Sequence, residues 1–93
     1  MRILWYNWRD IKNPEAGGAE VYCHEIITRL LKKGHDITLF TSEFANSSQS
    51  DIIDGLRVIR SGGRYTVYSK ARNYFKKNNH NFDIFIDSIN TIP

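Results

Sequence analysis

Two adjacent glycines, Gly17 and Gly18, stand directly before a run with helical periodicity and close a charged loop that begins at Trp8. The first backbone N–H groups of a helix lack partners inside it. The helix dipole adds partial positive charge there, and glycine lets a phosphate approach the backbone closely. This combination can hold the diphosphate of a nucleotide or another phosphorylated small molecule. The same pair can also make a tight turn and nothing more. Two stricter phosphate signatures are missing. No Gly-x-Gly-x-x-Gly follows the first apolar run and no Gly-Lys-Ser/Thr occurs, so neither a dinucleotide fingerprint nor a P-loop is supported.

The other reactive side chains do not form a recognisable constellation. His24, His35 and His80 lack metal-ligand spacing, and no cysteine pair supports them, so no metal is expected. His35 reads as a capping residue behind the first helix, and no Ser-His-Asp arrangement can be defended. The one cysteine, Cys23, falls on an apolar helical stripe and reads as a small buried hydrophobe rather than a reactive thiol. Between Arg64 and Lys77, basic and aromatic residues interleave: Arg64, Tyr65, Tyr68, Lys70, Arg72, Tyr74, Lys76 and Lys77. That stretch suits a lipid headgroup, a nucleic acid, or simply a solvated helix face.

These residues need elements to position them. Arg2 to Asn7 is a short apolar run of the type and length of a buried strand. Trp8 to Gly18 is a loop, marked by charge, Asn13-Pro14 and the glycine pair. Gly18 to Lys33 is a helix with Ala19, Cys23, Ile26, Ile27, Leu30 and Leu31 on one face. Glu20 in its first turn and Arg29, Lys32 and Lys33 in its last complement the dipole, and Gly34 stops it. Asp36 to Thr41 is a second strand and Ser42 to Ser50 a polar loop. Asp51–Ile53 and Leu56–Arg60 flank Asp54-Gly55, a hairpin signal because both turn positions call for positive φ. Thr66 to Asn78 is a second helix with Val67, Ala71, Tyr74 and Phe75 inward, and Phe82 to Asp87 is a last strand. Alternation of this kind predicts an α/β fold. The specific expectation is a partial Rossmann-like three-layer sandwich: a mainly parallel sheet in the order 3-2-1-4, a β-hairpin, and helices on the faces.

Composition narrows the class further. The chain has 93 residues, 41% hydrophobic and 25% charged, which suits one small folded domain rather than a disordered segment. Thirteen basic residues against ten acidic give +3, a mild excess that permits anionic partners without demanding them. A single cysteine suits a reducing cytosol. No apolar run approaches the ~20 residues needed to cross a bilayer.

The blocks Ile3-Leu4-Trp5-Tyr6-Asn7-Trp8-Arg9-Asp10 and Pro14-x-Ala16-Gly17-Gly18-Ala19-Glu20 resemble the opening of family 4 glycosyltransferases of the GT-B fold. Leu30-x-x-x-Gly34-His35-Asp36-Ile37-Thr38, Asp54-Gly55-Leu56-Arg57-Val58-Ile59-Arg60 and Phe82-Asp83-Ile84-Phe85-Ile86-Asp87 continue the likeness in order over nearly the whole chain. The glycine pair opening a helix that Gly34-His35 closes is the most specific combination.

The resemblance implies a retaining glycosyltransferase that moves a sugar from a nucleotide-sugar to a glycan or lipid-linked acceptor without a metal or other cofactor. Residues 1–93 would be the acceptor-side, N-terminal part of such an enzyme, truncated before the donor-binding domain and inactive alone. Gly17 and Gly18 would meet the donor diphosphate across the cleft. Trp8, Arg9, Glu20 and Arg64 would lie on the acceptor side. Many relatives carry a histidine near the reacting sugar where this chain has Asp87, a departure from the pattern. Asp87 and Asn90 are the catalytic candidates there, and a strand-end carboxylate that caps nearby amides is the plainer role for Asp87. The implied setting is cytoplasmic, with peripheral contact at the inner face of a membrane and no nucleic acid. The isolated chain is expected to self-associate. The competing expectation, from a different class, is a stand-alone α/β module that binds a phosphorylated small molecule through Gly17-Gly18.

Overall fold

Four short apolar segments become strands that place side chains on both faces of a sheet, and a fifth, Ser50–Ile53, joins at the edge and buries Ile53 on one face only. A computed structural model describes residues 1–88. The order along the chain is β1 (Arg2–Tyr6), α1 (Gly18–Lys32), β2 (Asp36–Thr41), β3 (Ser50–Ile53), β4 (Leu56–Arg60), α2 (Val67–Lys77) and β5 (Ile84–Asp87). The sheet order is β3-β4-β2-β1-β5. β1 pairs in parallel with β2 and β5, β2 pairs in parallel with β4, and β3 runs antiparallel to β4. The sheet is therefore five-stranded and mixed, not a purely parallel four-strand 3-2-1-4 array. The reason is the hairpin, both arms of which enter the sheet. Asp54 (φ 51°) and Gly55 (φ 82°) take the positive-φ pair that a tight hairpin turn requires.

Side-chain alternation builds a core on each face. Ile3, Ile37, Leu39, Leu56 and Val58 face α1, which contributes Ile27 with Cys23, Leu30 and Leu31 around it. Leu4, Tyr6 and Phe40 face α2, which contributes Val67 and Ala71. Tyr74, Phe75, Phe82 and Phe85 extend that second core through ring contacts 5.4–6.4 Å between centroids. Each fully buried aliphatic or aromatic side chain stabilises the fold by about 1.5–3 kcal/mol. Ala19, expected on the apolar face of α1, is exposed instead. It lies in the first turn, before the helix reaches the sheet.

α1 stops as the sequence predicts. Gly34 has φ 94°, its N–H donates to the Leu31 carbonyl (3.0 Å), and the His35 N–H donates to the Leu30 carbonyl (3.2 Å). These two bonds are the Schellman pattern, so His35 closes the helix through its backbone. Its ring is a separate matter: Nδ1 is buried with no hydrogen-bond partner among the described residues. His24 Nε2 lies 2.9 Å from Asp54 Oδ2 and ties α1 to the hairpin turn.

Candidate carboxyl-edge cleft

α1 carries the chain from β1 to β2 on one side. α2, on the opposite face, carries it from β4 back across to β5 on the other side of β1, so the strand order switches direction between β1 and β5. In open α/β sheets, the crevice beyond the strands' carboxyl ends at such a point is where ligands bind. Three connections meet near this edge: the β1–α1 loop, the loop after β2, and the loop before α2. A cleft of about 470 Å³ opens among them, lined by Trp8, Arg9, Pro14, Glu43, Phe44 and Arg64 among others. A slightly larger hollow of about 530 Å³ lies elsewhere, lined by Arg2, Asp36, Ile52, Arg57, Tyr74 and Phe82. Arg2 and Asp36 begin their strands, so it is open toward the amino edge and away from the glycine pair.

The three loops are locked to one another. Ser42 donates to the Trp8 carbonyl through both its hydroxyl (2.6 Å) and its N–H (3.0 Å). Glu43 and Gly62 clasp each other: the Glu43 N–H donates to the Gly62 carbonyl (2.9 Å), and the Gly62 N–H donates to Glu43 Oε2 (3.0 Å). Gly62 has to be glycine. Its φ is 83°, and a Cβ there would sit 2.9 Å from Thr66 Oγ1 and 3.2 Å from the Val67 Cα.

Beneath the loops lies a buried ion pair. Asp10 and Arg60 have side chains 1% exposed. Arg60 donates from Nε to Asp10 Oδ2 (2.7 Å) and from Nη2 to Asp10 Oδ1 (3.1 Å), a bidentate pair. Arg60 also donates to Asp51 Oδ2 (3.3 Å) and to the Ser48 carbonyl (3.1 Å), and the Phe44 ring lies 4.9 Å from the guanidinium. Asp10 further accepts from the Lys12 N–H (2.9 Å) and the Thr41 hydroxyl (3.3 Å). Asp10 raises the Arg60 pKa above its ordinary value against the opposing effect of burial. Neither residue belongs to a recognisable motif, yet the strand pattern carries a signal for Arg60. Leu56, Val58 and Arg60 alternate on one face of β4 and all are buried, so strand period alone points Arg60 inward.

The residues singled out in the sequence fall into three groups. Trp8, Arg9 and Arg64 line the cleft together. Trp8 is 44% exposed on its rim. Arg9 lies 3.4 Å from Glu15 and 3.7 Å from Glu20, and Arg64 lies over the Tyr65 ring. Gly17 and Gly18 do not line the cleft but are linked to it, because Glu20, the partner of Arg9, also accepts the Gly17 N–H (3.3 Å). Gly17 caps α1 in an extended conformation (φ −128°, ψ −158°) without a side chain to satisfy the first-turn N–H groups. Asp87 stands apart from both groups, opposite Tyr6 in the β1–β5 register. There it is half-buried, and Ser88 beside it donates its hydroxyl to the Tyr6 carbonyl (2.9 Å). Burial first and Asp87 second push the Tyr6 phenol up to about 12. Asn90 lies outside the described residues.

Cys23 is inert by the same physics. Burial, helped by Glu20, pushes its thiol up to about 11, so it carries no thiolate near neutrality. Among the described residues no group of three or more His, Cys, Asp or Glu side chains could hold a metal ion, and no helix is long and apolar enough to cross a membrane. No family model matches the chain, and neither a curated protein nor a solved structure matches it.

Proposed function

We propose that residues 1–93 form the acceptor-side part of a Rossmann-like N-terminal domain in a retaining, metal-independent family 4 glycosyltransferase of the GT-B fold. The observation that carries the reading is the convergence at the carboxyl edge. Trp8, Arg9 and Arg64, singled out as acceptor-side residues, share one cleft at the point where the strand order switches direction. The composition of the cleft supports a saccharide. Trp8 and Phe44 offer apolar ring faces, and Arg9, Asn13, Ser42 and Glu43 supply polar groups for hydroxyls. In this account the exposed backbone at Gly18, joined by the Gly17 N–H once it leaves Glu20, faces the donor diphosphate and stabilises charge on the leaving group, the task a metal performs elsewhere. Asp87 would stand near the reacting sugar. The strand order, with the hairpin on one flank of β2–β1 and β5 on the other, is compatible with half of a doubly wound sheet.

The stand-alone phosphate module is separated from this reading by a titration of the purified chain. Trp8 is the exposed tryptophan, so its fluorescence reports on the cleft. Mono- and disaccharides should give a saturable change that Trp8→Phe removes, while a nucleotide-sugar alone should bind weakly and undergo no transfer. Micromolar binding of a sugar phosphate or nucleotide with no response to neutral saccharides would replace the acceptor reading with the phosphate module.

A further inference from the structure

We propose that a third hollow, between α2 and the hairpin side of the sheet, binds a small molecule with an anionic group at each end, of the bisphosphate class. Its volume is about 400 Å³, within the range of small-molecule sites. Lys70, Asn73, Tyr74 and Lys77 form its wall on α2, and Ile59 and Ser61 face them from the sheet side. It shares no lining residue with the carboxyl-edge cleft, and its chemistry does not depend on what that cleft binds.

Helix periodicity sets the two cations at opposite ends. Lys70, Asn73, Tyr74 and Lys77 stand at i, i+3, i+4 and i+7, so they share one flank of α2. Seven residues of helix separate the lysines by about 10 Å along the axis. Lys70 is held in place by packing. A Cβ on Gly62 would lie 2.9 Å from Lys70 Cδ, so the glycine leaves the room that the lysine stem occupies. Between the lysines the floor is apolar: Ile59, Phe40 and the Tyr74 ring, the two rings 5.5 Å apart between centroids.

The polar groups of this hollow are uncommitted, unlike those of the other two. In the amino-edge hollow Arg2 is held by Asp83 and Arg57 by Asp36. In the carboxyl-edge cleft Arg9 is held by Glu15 and Glu20, and Glu43 by Gly62. Here no Asp or Glu is in the lining. Among the described residues Lys70 and Lys77 form no ion pair, and the side chains of Gln49, Ser61 and Asn73 have no hydrogen-bond partner. Arg60 also reaches the hollow, but Asp10 and Asp51 already answer its charge. The uncompensated charge is therefore that of the two ammoniums. A single anionic group answers one of them. A molecule with phosphate at both ends answers both, and a hydroxylated middle meets the Gln49, Ser61 and Asn73 groups. An ammonium is a point charge that suits phosphate, whereas a carboxylate is matched best by an arginine fork, and the fork here is already filled by Asp10.

The test is calorimetric titration of the full chain, at low salt to limit screening, with fructose 1,6-bisphosphate and with fructose 6-phosphate. The bisphosphate is expected to bind saturably, and the monophosphate about tenfold more weakly, because it forgoes one charge-assisted contact. Lys70→Gln and Lys77→Gln should each weaken the bisphosphate by about tenfold. Lys76→Gln removes the same charge from the same helix outside the hollow and should leave affinity within about twofold. Gly17→Val should leave it unchanged, which separates this site from the start of α1. All three lysines are exposed, and circular dichroism checks that the variants fold. No saturable heat with the bisphosphate at millimolar concentration, equal affinity for the two sugar phosphates, equal loss from Lys76→Gln and Lys77→Gln, or loss caused by Gly17→Val would overturn the proposal.

Discussion

At Gly17 a Cβ would meet no heavy atom within 4 Å, and the backbone is extended, a conformation any residue adopts; Gly18 has the same open surroundings. Neither glycine is demanded by the fold, in contrast to Gly62. A ligand role for the pair is therefore separable from a folding role by substitution. Gly17→Val is expected to keep the fold and cost about 1 kcal/mol, because a β-branched residue is a poorer N-cap than glycine. The same change should weaken binding of a nucleoside diphosphate by about tenfold. A thermal melt and a calorimetric titration measure the two effects, and unchanged binding would leave Gly17 a turn residue only. Asp10 and Arg60 are the opposite case, buried and fully engaged. Asp10→Ala strands a buried guanidinium and should cost about 3–5 kcal/mol in urea denaturation. Asp10→Leu with Arg60→Met removes both charges and should cost less than the sum of the single changes.

The elements differ in how clearly their residues announce them. The hairpin was legible because Asp54-Gly55 has one good use between two apolar runs, and α1 because its stripe, its dipole-matched charges and Gly34 agree. The carboxyl-edge cleft was legible only as separate residues. Arg64 is far in sequence from Trp8 and Arg9, and the contacts that bring their loops together, Ser42 on the Trp8 carbonyl and Glu43 on Gly62, are tertiary and have no local signature. That hairpin arms would enter the sheet as two separate strands was also not visible, since parallel order alone does not count edge strands. β3 is tied to the β1–α1 loop by Lys12 Nζ, 3.2 Å from Asp51 Oδ2. The Lys12 bond, the Ile52 N–H and Arg60 hold the Asp51 carboxyl below its ordinary 3.8. A carboxylate with a depressed folded-state pKa gives stability above its unfolded pKa and loses it as pH falls through the folded value. Unfolding free energy should therefore decline below about pH 4, and Asp51→Asn should flatten that acid limb. Denaturant titrations at stepped pH measure the slope, and an unchanged slope would remove Asp51 from the account.

On the scale of the whole molecule, the sheet has two sides of different completeness. α1 covers one face, whereas α2 spans β1 and β2 on the other and leaves a hollow over the hairpin, where Ile52 is 70% exposed. Among the described residues β5 pairs only with β1, so its outer backbone groups face no strand. Exposed edges and apolar patches recruit partners. The purified chain should therefore self-associate with rising concentration in light scattering, and a compact monomer at high micromolar concentration would show that it satisfies its own edges. Function is a separate question, and the central claim is that the carboxyl-edge cleft receives a saccharide. A ¹H–¹⁵N NMR titration of the chain with a disaccharide tests this most directly. The account predicts shifts concentrated at Trp8, Arg9, Ser42 to Ala45 and Arg64, with the amides around Arg2, Asp36 and Arg57 unmoved. Shifts centred instead on the Arg2–Arg57–Phe82 hollow, or none at saturating sugar, would contradict it.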